Sequence, residues 1–371
     1  MKTVVYIRAA DVYNDSRATK EITALSKNGY KVVVLAWNRS GVAQEKCKEI
    51  FKELQNVSFV FYNKPLKSGM GLRKDVFKLI SWLRWTAKSL KKIKEADVVH
   101  SCDFEGAFGV YKICKKRKIK MVYDIFDYYV DAHSIPSVLK SFIEKRDIRV
   151  INNADVTIIC NEERRQQIAK ATPKRVIVIH NSPSIDKVEK DEITYDYAYC
   201  GSLDSGRLVA EILDCYDENS DLRMVFAGHG SSSEKCEELA EKYENFTYLG
   251  SIPYSEVLKA ENQSKVLSAI YIPTIRNHKL CAPNKFYESL ALGKPIIVCE
   301  GTGIDNIVKE KHIGCAINYD AKEFYLALRK LIKNEEEMAE VCKISRQLYT
   351  EKYSWNIMEK ILLDTYAEIL N

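Results

Sequence analysis

Short apolar runs alternate with longer stretches of helical periodicity along the first half of the chain. Runs of this kind are typical of buried strands, and their alternation with helices predicts βαβ units in a parallel sheet. The predicted strands of this first series are residues 4–7, 32–36, 57–62, 98–101, 121–125, 156–160 and 176–180.

A second series follows a polar, charged and proline-interrupted segment at 181–192, whose composition is typical of a linker. Its predicted strands are 197–201, 223–227, 247–249, 267–271, 295–298 and 314–317. We therefore predict two Rossmann-like, doubly wound α/β domains at 1–185 and 192–352, followed by a last helical segment at 353–371. Because such sheets bind ligands at the carboxyl ends of their strands, a cleft between the two domains is the expected binding region.

The strongest indication of a binding site lies at 277–298. Pro283 and Asn284 predict a helix start, and Gly293 begins a stop signal that leads directly into an apolar strand. The N-terminus of such a helix favours a bound anion, such as a diphosphate.

Two charged residues of this helix strengthen the indication. Lys285 and Glu288 are three residues apart and therefore share a helix face. A lysine beside a helix N-terminus suits a diphosphate, and a glutamate one turn later suits vicinal hydroxyls, so a nucleotide sugar would satisfy both. The alternative is an exposed salt bridge on a surface helix.

Composition narrows the function classes. The chain has 371 residues, which suits two domains, and it has no run of the roughly 18 apolar residues that a membrane span needs. The N-terminus reads as a buried strand, not as a signal peptide, so we expect a cytoplasmic protein. The eleven cysteines form no C-x-x-C pair and no H-E-x-x-H is present, so we expect structural thiols and no metal.

Several landmarks occur in an order and spacing that resemble a known family. They are residues 14–17, 199–203, 225–230, 248–253, 283–288, 291–295 and 353–355. The segments are similar to those of the retaining glycosyltransferases of family 4, the group 1 transferases, which have the two-domain GT-B fold. The resemblance covers nearly the whole chain. It implies that the last helix crosses back to the first domain.

The resemblance also implies a donor site. Glu288 matches the second glutamate of the family's E-x7-E element, which binds the ribose hydroxyls of a nucleotide diphosphate sugar. The first glutamate would fall at position 280, where this chain has Leu280. The other predicted donor-binding residues are Gly201, Ser202, Gly228 and Asn284. The resemblance implies no cofactor apart from this donor substrate.

Arg207 and Lys285 are the predicted catalytic cations. Arg207 follows a flexible loop after a predicted strand, where a cation can reach the leaving diphosphate. Ser202 stands where the family commonly has a second arginine. The alternative interpretation of Arg207 is a solvated arginine at a helix start.

The first domain carries the predicted acceptor side. The family often has a histidine at the position of Phe126, so the neighbouring Asp127 is the polar group expected to orient the acceptor hydroxyl. A helix N-cap is the alternative for Asp127. Asp15, Ser16 and Arg17 are also predicted to line the acceptor side, with a capping role as the alternative.

Residues 64–94 contain ten basic side chains and one acidic one, a net charge of +9, whereas the whole chain carries +6. Apolar residues, including Trp82 and Trp85, are interleaved with these charges. The pattern resembles a basic amphipathic helix on an anionic membrane, which would suit a lipid-linked acceptor. The alternative is a helix whose apolar side packs on the first sheet.

These observations predict a retaining glycosyltransferase that acts on a glycan or lipid-linked acceptor in cell-surface polysaccharide or glycolipid synthesis. A nucleotide-sugar epimerase of the same architecture and a non-catalytic nucleotide-sugar-binding protein remain as alternatives. A nucleic-acid partner is not expected, because no nucleic-acid-binding module is recognisable. A nicotinamide dehydrogenase is disfavoured because no G-x-G-x-x-G follows the first strand.

Overall fold

The computed structural model describes residues 1–65, 72–133, 135–188 and 191–371. It divides into two compact units. The first unit consists of Met1–His180 together with Met358–Asn371, and the second consists of Asn181–Ile357.

The first unit contains a seven-stranded parallel sheet with the strand order β3-β2-β1-β4-β5-β6-β7. The order reverses direction between β1 and β4, as in doubly wound nucleotide-binding sheets. The strands are β1 Thr3–Arg8, β2 Lys31–Asn38, β3 Val57–Asn63, β4 Val98–Cys102, β5 Lys120–Ile125, β6 Val156–Ile159 and β7 Val176–Val178. The central strands are buried, because helices pack against the sheet.

The helices of the first unit lie between these strands. They are α1 Ser16–Lys27, α2 Ala43–Ile50, α3 Leu72–Lys92, α4 Asp103–Ala107, α5 Tyr111–Arg117, α6 Tyr129–Ala132 and α7 Ser137–Asn153. The largest core cluster of this unit includes Val5, Leu35, Trp82, Val99 and Met121, which join the sheet to α3.

The second unit contains a six-stranded sheet with the order β10-β9-β8-β11-β12-β13, again parallel and doubly wound. The strands are β8 Tyr195–Cys200, β9 Met224–Ala227, β10 Phe246–Tyr248, β11 Ser264–Ala269, β12 Ile296–Cys299 and β13 Gly314–Ile317. The helices are α8 Val209–Asp214, α9 Ser233–Lys242, α10 Tyr254–Asn262, α11 Arg276–Lys279, α12 Asn284–Leu292, α13 Ile304–Lys311, α14 Ala321–Lys333, α15 Glu335–Leu348 and α16 Trp355–Leu370. From Met358 onward, α16 belongs to the first unit.

The predicted fold class is confirmed, because every predicted strand overlaps a strand of one of the two sheets. The predicted helix start at Pro283–Asn284 is also present: Pro283 is the N-cap of α12 and Gly293 ends it in the left-handed conformation, with φ of 67°. No helix in the described ranges combines the length and the hydropathy that crossing a bilayer requires.

Candidate functional site

The second sheet reverses its strand order between β8 and β11, which are hydrogen-bonded neighbours. Ligands of doubly wound sheets bind at the carboxyl ends of the strands beside such a reversal. Gly201 follows β8 directly, and Tyr271 lies two residues beyond the end of β11. The predicted donor residues Gly201 and Ser202 therefore lie at the expected place in this sheet.

Two glycines bring backbone segments close together here. Gly228 has a φ of 137°, and a Cβ at this position would collide with the carbonyl oxygen of Gly201. A Cβ at Gly201 would in turn meet the Lys285 ammonium, so this ammonium lies directly over the Gly201 backbone. Glycine is required at Gly228, because a side chain there would collide with backbone atoms.

The Lys285 ammonium also lies 4.8 Å from the centre of the Tyr199 ring. Lys285 is in the first turn of α12, where the backbone N–H groups add a positive partial charge. Asn284, the first residue of this helix, is exposed beside it. The start of α12 is therefore an electropositive surface next to Gly201.

Arg207 supplies a second cation at the same sheet edge. Its guanidinium carbon lies 5.4 Å from the centre of the Tyr271 ring. Desolvation raises the pKa of the Tyr271 hydroxyl to about 12, and the charges of Lys285 and Arg207 both act against this shift. The two cations therefore act on one tyrosine.

Neither cation forms a salt bridge with an acid in the described part of the chain. The acid that acts on Arg207 electrostatically is Asp204, which is itself engaged by Ser202 Oγ at 2.6 Å and by the Ser231 backbone N–H at 3.1 Å. An anionic ligand would therefore meet two cations that are not held in a salt bridge.

Glu288 lies one turn beyond the start of α12 and is only 3% exposed. The Tyr254 hydroxyl donates a hydrogen bond to Glu288 Oε1 at 2.9 Å. A second buried acid, Glu261 at the end of α10, interacts electrostatically with both Glu288 and Lys285. The site thus combines two cations with two acids, one of which is fixed by a tyrosine.

In the first unit, the predicted acceptor residue Asp127 is half exposed and follows β5. Arg164 donates to Asp127 Oδ1 at 3.0 Å and also to the Phe126 carbonyl oxygen. Asp103 Oδ1 accepts hydrogen bonds from the backbone N–H groups of Phe126 and Asp127, at 2.9 and 3.1 Å. The segment that contains Phe126 and Asp127 is therefore fixed by hydrogen bonds with both Arg164 and Asp103.

Asp103 is unusual because it has a φ of 56°, a left-handed conformation that a non-glycine residue rarely adopts. Burial raises its pKa to about 7, while the Arg8 guanidinium, which forms an ion pair with it, acts in the opposite direction. Arg8 also contacts Asp15 at 2.8 Å, and Asp15 caps α1 by accepting from the Ala18 backbone N–H. Asp15 therefore has the capping role considered above, and Ser16 is the first residue of that helix.

Arg17 is buried and does not face solvent. Its guanidinium donates to Asp124 Oδ1 at 2.6 Å, to Glu21 Oε1 at 3.1 Å and to the Ile179 carbonyl oxygen at 2.7 Å. Burial and the Asp124 carboxylate raise the pKa of Glu21 to about 7. Arg17 thus joins α1 to β5 and to the segment after β7.

The same network contains His100, whose Nδ1 lies 2.8 Å from the Tyr366 hydroxyl of α16. Glu21, His100 and Asp124 bring possible metal-ligand atoms within 4.8 Å of one another. The Arg17 guanidinium already bonds both carboxylates. The three side chains therefore serve as a buried ionic network that ties α16 to the first sheet.

Two family models match the chain. The Glycosyltransferase Family 4 model matches residues 18–186, and the model for glycosyl transferases group 1 matches residues 203–334. The chain belongs to the group 1 glycosyltransferases. No curated protein matches it.

Solved structures share the GT-B fold of this glycosyltransferase. Sucrose-phosphate synthase from Thermosynechococcus elongatus is similar with a TM-score of 0.71 at 12% identity, covering 100% of this chain and 99% of the other. HepE from Anabaena, in complex with UDP-glucose, has a TM-score of 0.71 at 12% identity, with coverage of 99% and 100%. A glycosyltransferase from Rickettsia africae has a TM-score of 0.70 at 14% identity, with coverage of 100% and 99%.

The glycosyltransferase packs the tryptophans of its basic stretch inside the first unit. Trp82 is fully buried, donates to the Glu105 carbonyl oxygen at 2.9 Å and stacks on Trp85 and Trp37. The packed-helix alternative therefore describes this face of α3. Phe77, which is 73% exposed, and Ile80 lie outside that packing. Residues 66–71 of the stretch lie outside the described residues.

Sequence reasoning missed Tyr254, Glu261 and Tyr271. Tyr254 begins α10, and no motif links it to Glu288, which is 34 positions away. Glu261 could have been found from its position. It is an acid near the end of α10, among small and polar residues, shortly before the strand β11.

Proposed function

We propose that this glycosyltransferase moves a hexose, with retention of anomeric configuration, from a nucleotide diphosphate sugar to a glycan or lipid-linked acceptor. The observation that supports this most is the pair of cations, Arg207 and Lys285, beside Tyr271. Neither has a salt bridge among the described residues, and a buried glutamate, Glu288, lies on the same helix as Lys285. A diphosphate joined to a ribose matches this arrangement.

Each residue has a role in this proposal. Arg207 and Lys285 stabilise the charge that develops on the leaving diphosphate, so no metal is needed for that step. Glu288 accepts hydrogen bonds from the ribose hydroxyls. Gly201 and Gly228 let the donor approach the backbone closely, and Asn284 presents the start of α12 to it.

No nucleophile is assigned to the protein. The bond between the anomeric carbon and the diphosphate oxygen breaks, and the bond to the acceptor oxygen forms on the same face of the sugar. The acceptor hydroxyl proton passes to the departing diphosphate. Asp127 orients the acceptor from the first unit without taking this proton, so the protein contributes orientation and charge stabilisation.

A uridine nucleotide is the first donor to test. HepE is described with UDP-glucose, and the Staphylococcus aureus protein TarM, a further structural neighbour, is described with UDP. The shared fold makes a uridine diphosphate sugar the natural first candidate here.

The test is a panel of nucleoside diphosphate sugars with released nucleotide as the readout, each with and without candidate acceptors. We expect one donor to release nucleotide only when an acceptor is added, and the product to keep the donor's anomeric configuration by NMR. Turnover without any acceptor would instead favour the epimerase alternative. The proposal fails if no nucleoside diphosphate sugar binds at millimolar concentration.

We also propose that the first unit associates with an anionic membrane surface, as a lipid-linked acceptor would require. Support comes from the net charge of +9 on residues 64–94 and from the exposed Phe77 and Ile80 on α3. Trp82 does not contribute, because it is buried in the core, and Trp85 is partly buried against the same core. The association would be peripheral and electrostatic.

A further inference from the structure

The helix α10 ends in an acid that the proposed mechanism does not use. Glu261 is 1% exposed, and its Oε2 has no hydrogen-bond partner among the described residues. The helix packs against α12, β8 and β11. A carboxylate in such a place is costly unless it is paired or protonated.

Among the described residues, two charged groups interact electrostatically with Glu261, and both belong to α12. They are Glu288 and Lys285. From β8, the Cys200 thiol interacts electrostatically with the same three side chains. Burial raises the pKa of Glu261 well above its ordinary value, the Glu288 carboxylate raises it further, and Lys285 opposes both effects.

Other nearby ionisable groups bind elsewhere. Lys294 Nζ donates to the Asn262 carbonyl oxygen at 2.6 Å, and the Asn262 amide donates to Asp191 at 2.9 Å. Lys265 of β11 forms a salt bridge with Asp196 at 2.9 Å. None of these salt bridges or hydrogen bonds reaches the Glu261 carboxyl.

We propose that Glu261 is a positioning residue of the donor site, whose protonated form leaves the Lys285 ammonium available to the donor's diphosphate. This inference rests on the proposed function. The other acid beside Lys285 is Glu288, whose Oε1 already accepts a hydrogen bond from the Tyr254 hydroxyl. Loss of the Glu261 proton to solvent would create a second carboxylate beside the ammonium, and this carboxylate would compete with the diphosphate.

The experiment measures UDP and GDP affinity by calorimetry between pH 6 and pH 9. It uses the full-length wild type, Glu261→Gln and a matched control, Glu256→Gln. Glutamine is neutral and has the shape of the protonated acid, so it should preserve the fold. Glu256 is an exposed glutamate on the same helix.

At pH 6 we expect Glu261→Gln to bind the nucleotide within about twofold of the wild type. As the pH rises to 9, the wild type should lose at least about threefold more affinity than Glu261→Gln, and Glu256→Gln should follow the wild type. Both proteins bind the same nucleotide, so titration of its phosphates cancels in the comparison.

Parallel pH profiles for the wild type and Glu261→Gln would overturn the proposal. A tenfold gain or loss of affinity in Glu261→Gln at pH 6 would also overturn it, because the neutral acid and the amide would then not be equivalent. If the wild type binds neither nucleotide at any pH, the proposed function itself fails. If the wild type binds a nucleotide and its pH profile is parallel to that of Glu261→Gln, only the proposed role of Glu261 is rejected.

Discussion

The cations at the carboxyl edges of the two sheets differ in whether they form ion pairs. In the first unit, Arg8, Arg17 and Arg164 each form an ion pair with an aspartate. In the second unit, Arg207 and Lys285 lie against tyrosine rings and form no salt bridge with any described residue.

The difference indicates which edge is built to stabilise the fold and which is suited to a polyanion. An internal ion pair fixes its two elements in place but leaves little charge for a ligand. A half-buried cation that forms no salt bridge costs some stability and keeps more of its attraction for phosphate. The five predictions below test this contrast, from the largest expected effect to the smallest.

Removing the first unit's central cation should destabilise the protein most. Arg17→Met would leave Asp124 and Glu21 buried without their counter-ion, and should lower the free energy of unfolding by about 3–5 kcal/mol. Urea denaturation followed by tryptophan fluorescence measures this, since Trp37, Trp82 and Trp85 lie in the first unit.

The control is Arg165→Met, which breaks an exposed pair with Glu162 and should change stability by no more than about 1 kcal/mol. If Arg17→Met is equally mild, the network is not the stabilising element described here.

Removing the second unit's cations should affect turnover instead. Arg207→Ala and Lys285→Ala should each lower kcat by about 10²–10³-fold, because in the proposed mechanism they stabilise charge that develops on the leaving group. KM should change less, and thermal stability should be retained. Exposed Lys322 provides the control variant, Lys322→Ala. Wild-type kcat in both variants would mean that the diphosphate binds elsewhere.

The acid of the proposed donor site should govern the affinity for nucleotide. Glu288→Ala removes charge-assisted hydrogen bonds to ribose and should weaken nucleotide binding by about 1.5–3 kcal/mol, or roughly one to two decades in Kd. Tyr254→Phe, which removes the hydrogen bond to Glu288 Oε1, should cause a smaller loss. Calorimetry with UDP measures both. An unchanged Kd for Glu288→Ala would separate this residue from the ribose.

Sequence patterns predicted the sheets because buried parallel strands are continuous apolar runs, and both sheets follow them. They also predicted α12, because Pro283 and Gly293 mark its ends chemically. They did not reveal that Arg17 is buried, since an arginine after Asp15 and Ser16 reads as part of a polar helix start. Its burial depends on Asp124, which is 107 positions away.

The candidate donor site was only partly predictable for the same reason. Lys285 and Glu288 are recognisable from one local motif, but Tyr254, Glu261 and Tyr271 join them only when α10 and β11 pack beside α12. Likewise, the tryptophans of α3 lie among basic residues in the sequence, and only the packed sheet distinguishes their buried face from an exposed one.

A buried acid of the first unit provides a pH test. Asp147 Oδ1 accepts from the Tyr123 hydroxyl at 2.7 Å, its Oδ2 has no described partner, and burial raises its pKa to about 7. Because the pKa of Asp147 is higher in the folded state than in the unfolded state, this residue contributes to the free energy of unfolding at low pH. The contribution is complete near pH 4 and is lost as the pH rises through 7. Asp147→Asn cannot ionise, so it should gain about 1–3 kcal/mol over wild type between pH 5 and pH 8. Urea titrations at both pH values measure this, and an identical pH dependence would contradict it.

The smallest effect concerns the surface charge of the first unit. If residues 64–94 dock on anionic lipid, each basic residue near the surface contributes about 1 kcal/mol, and the attraction decays over about 8–10 Å. Four exposed lysines near the end of α3 test this when changed to glutamate: Lys88, Lys91, Lys92 and Lys94. Co-sedimentation with vesicles that contain anionic lipid should show wild-type binding that high salt abolishes, and no binding by the variant.

A second-unit variant with the same change in charge is the matched control, at Lys322, Lys330, Lys333 and Lys343. Equal loss in both variants would make the attraction a property of net charge alone, and salt-insensitive or absent wild-type binding would leave a soluble acceptor as the better match for this surface.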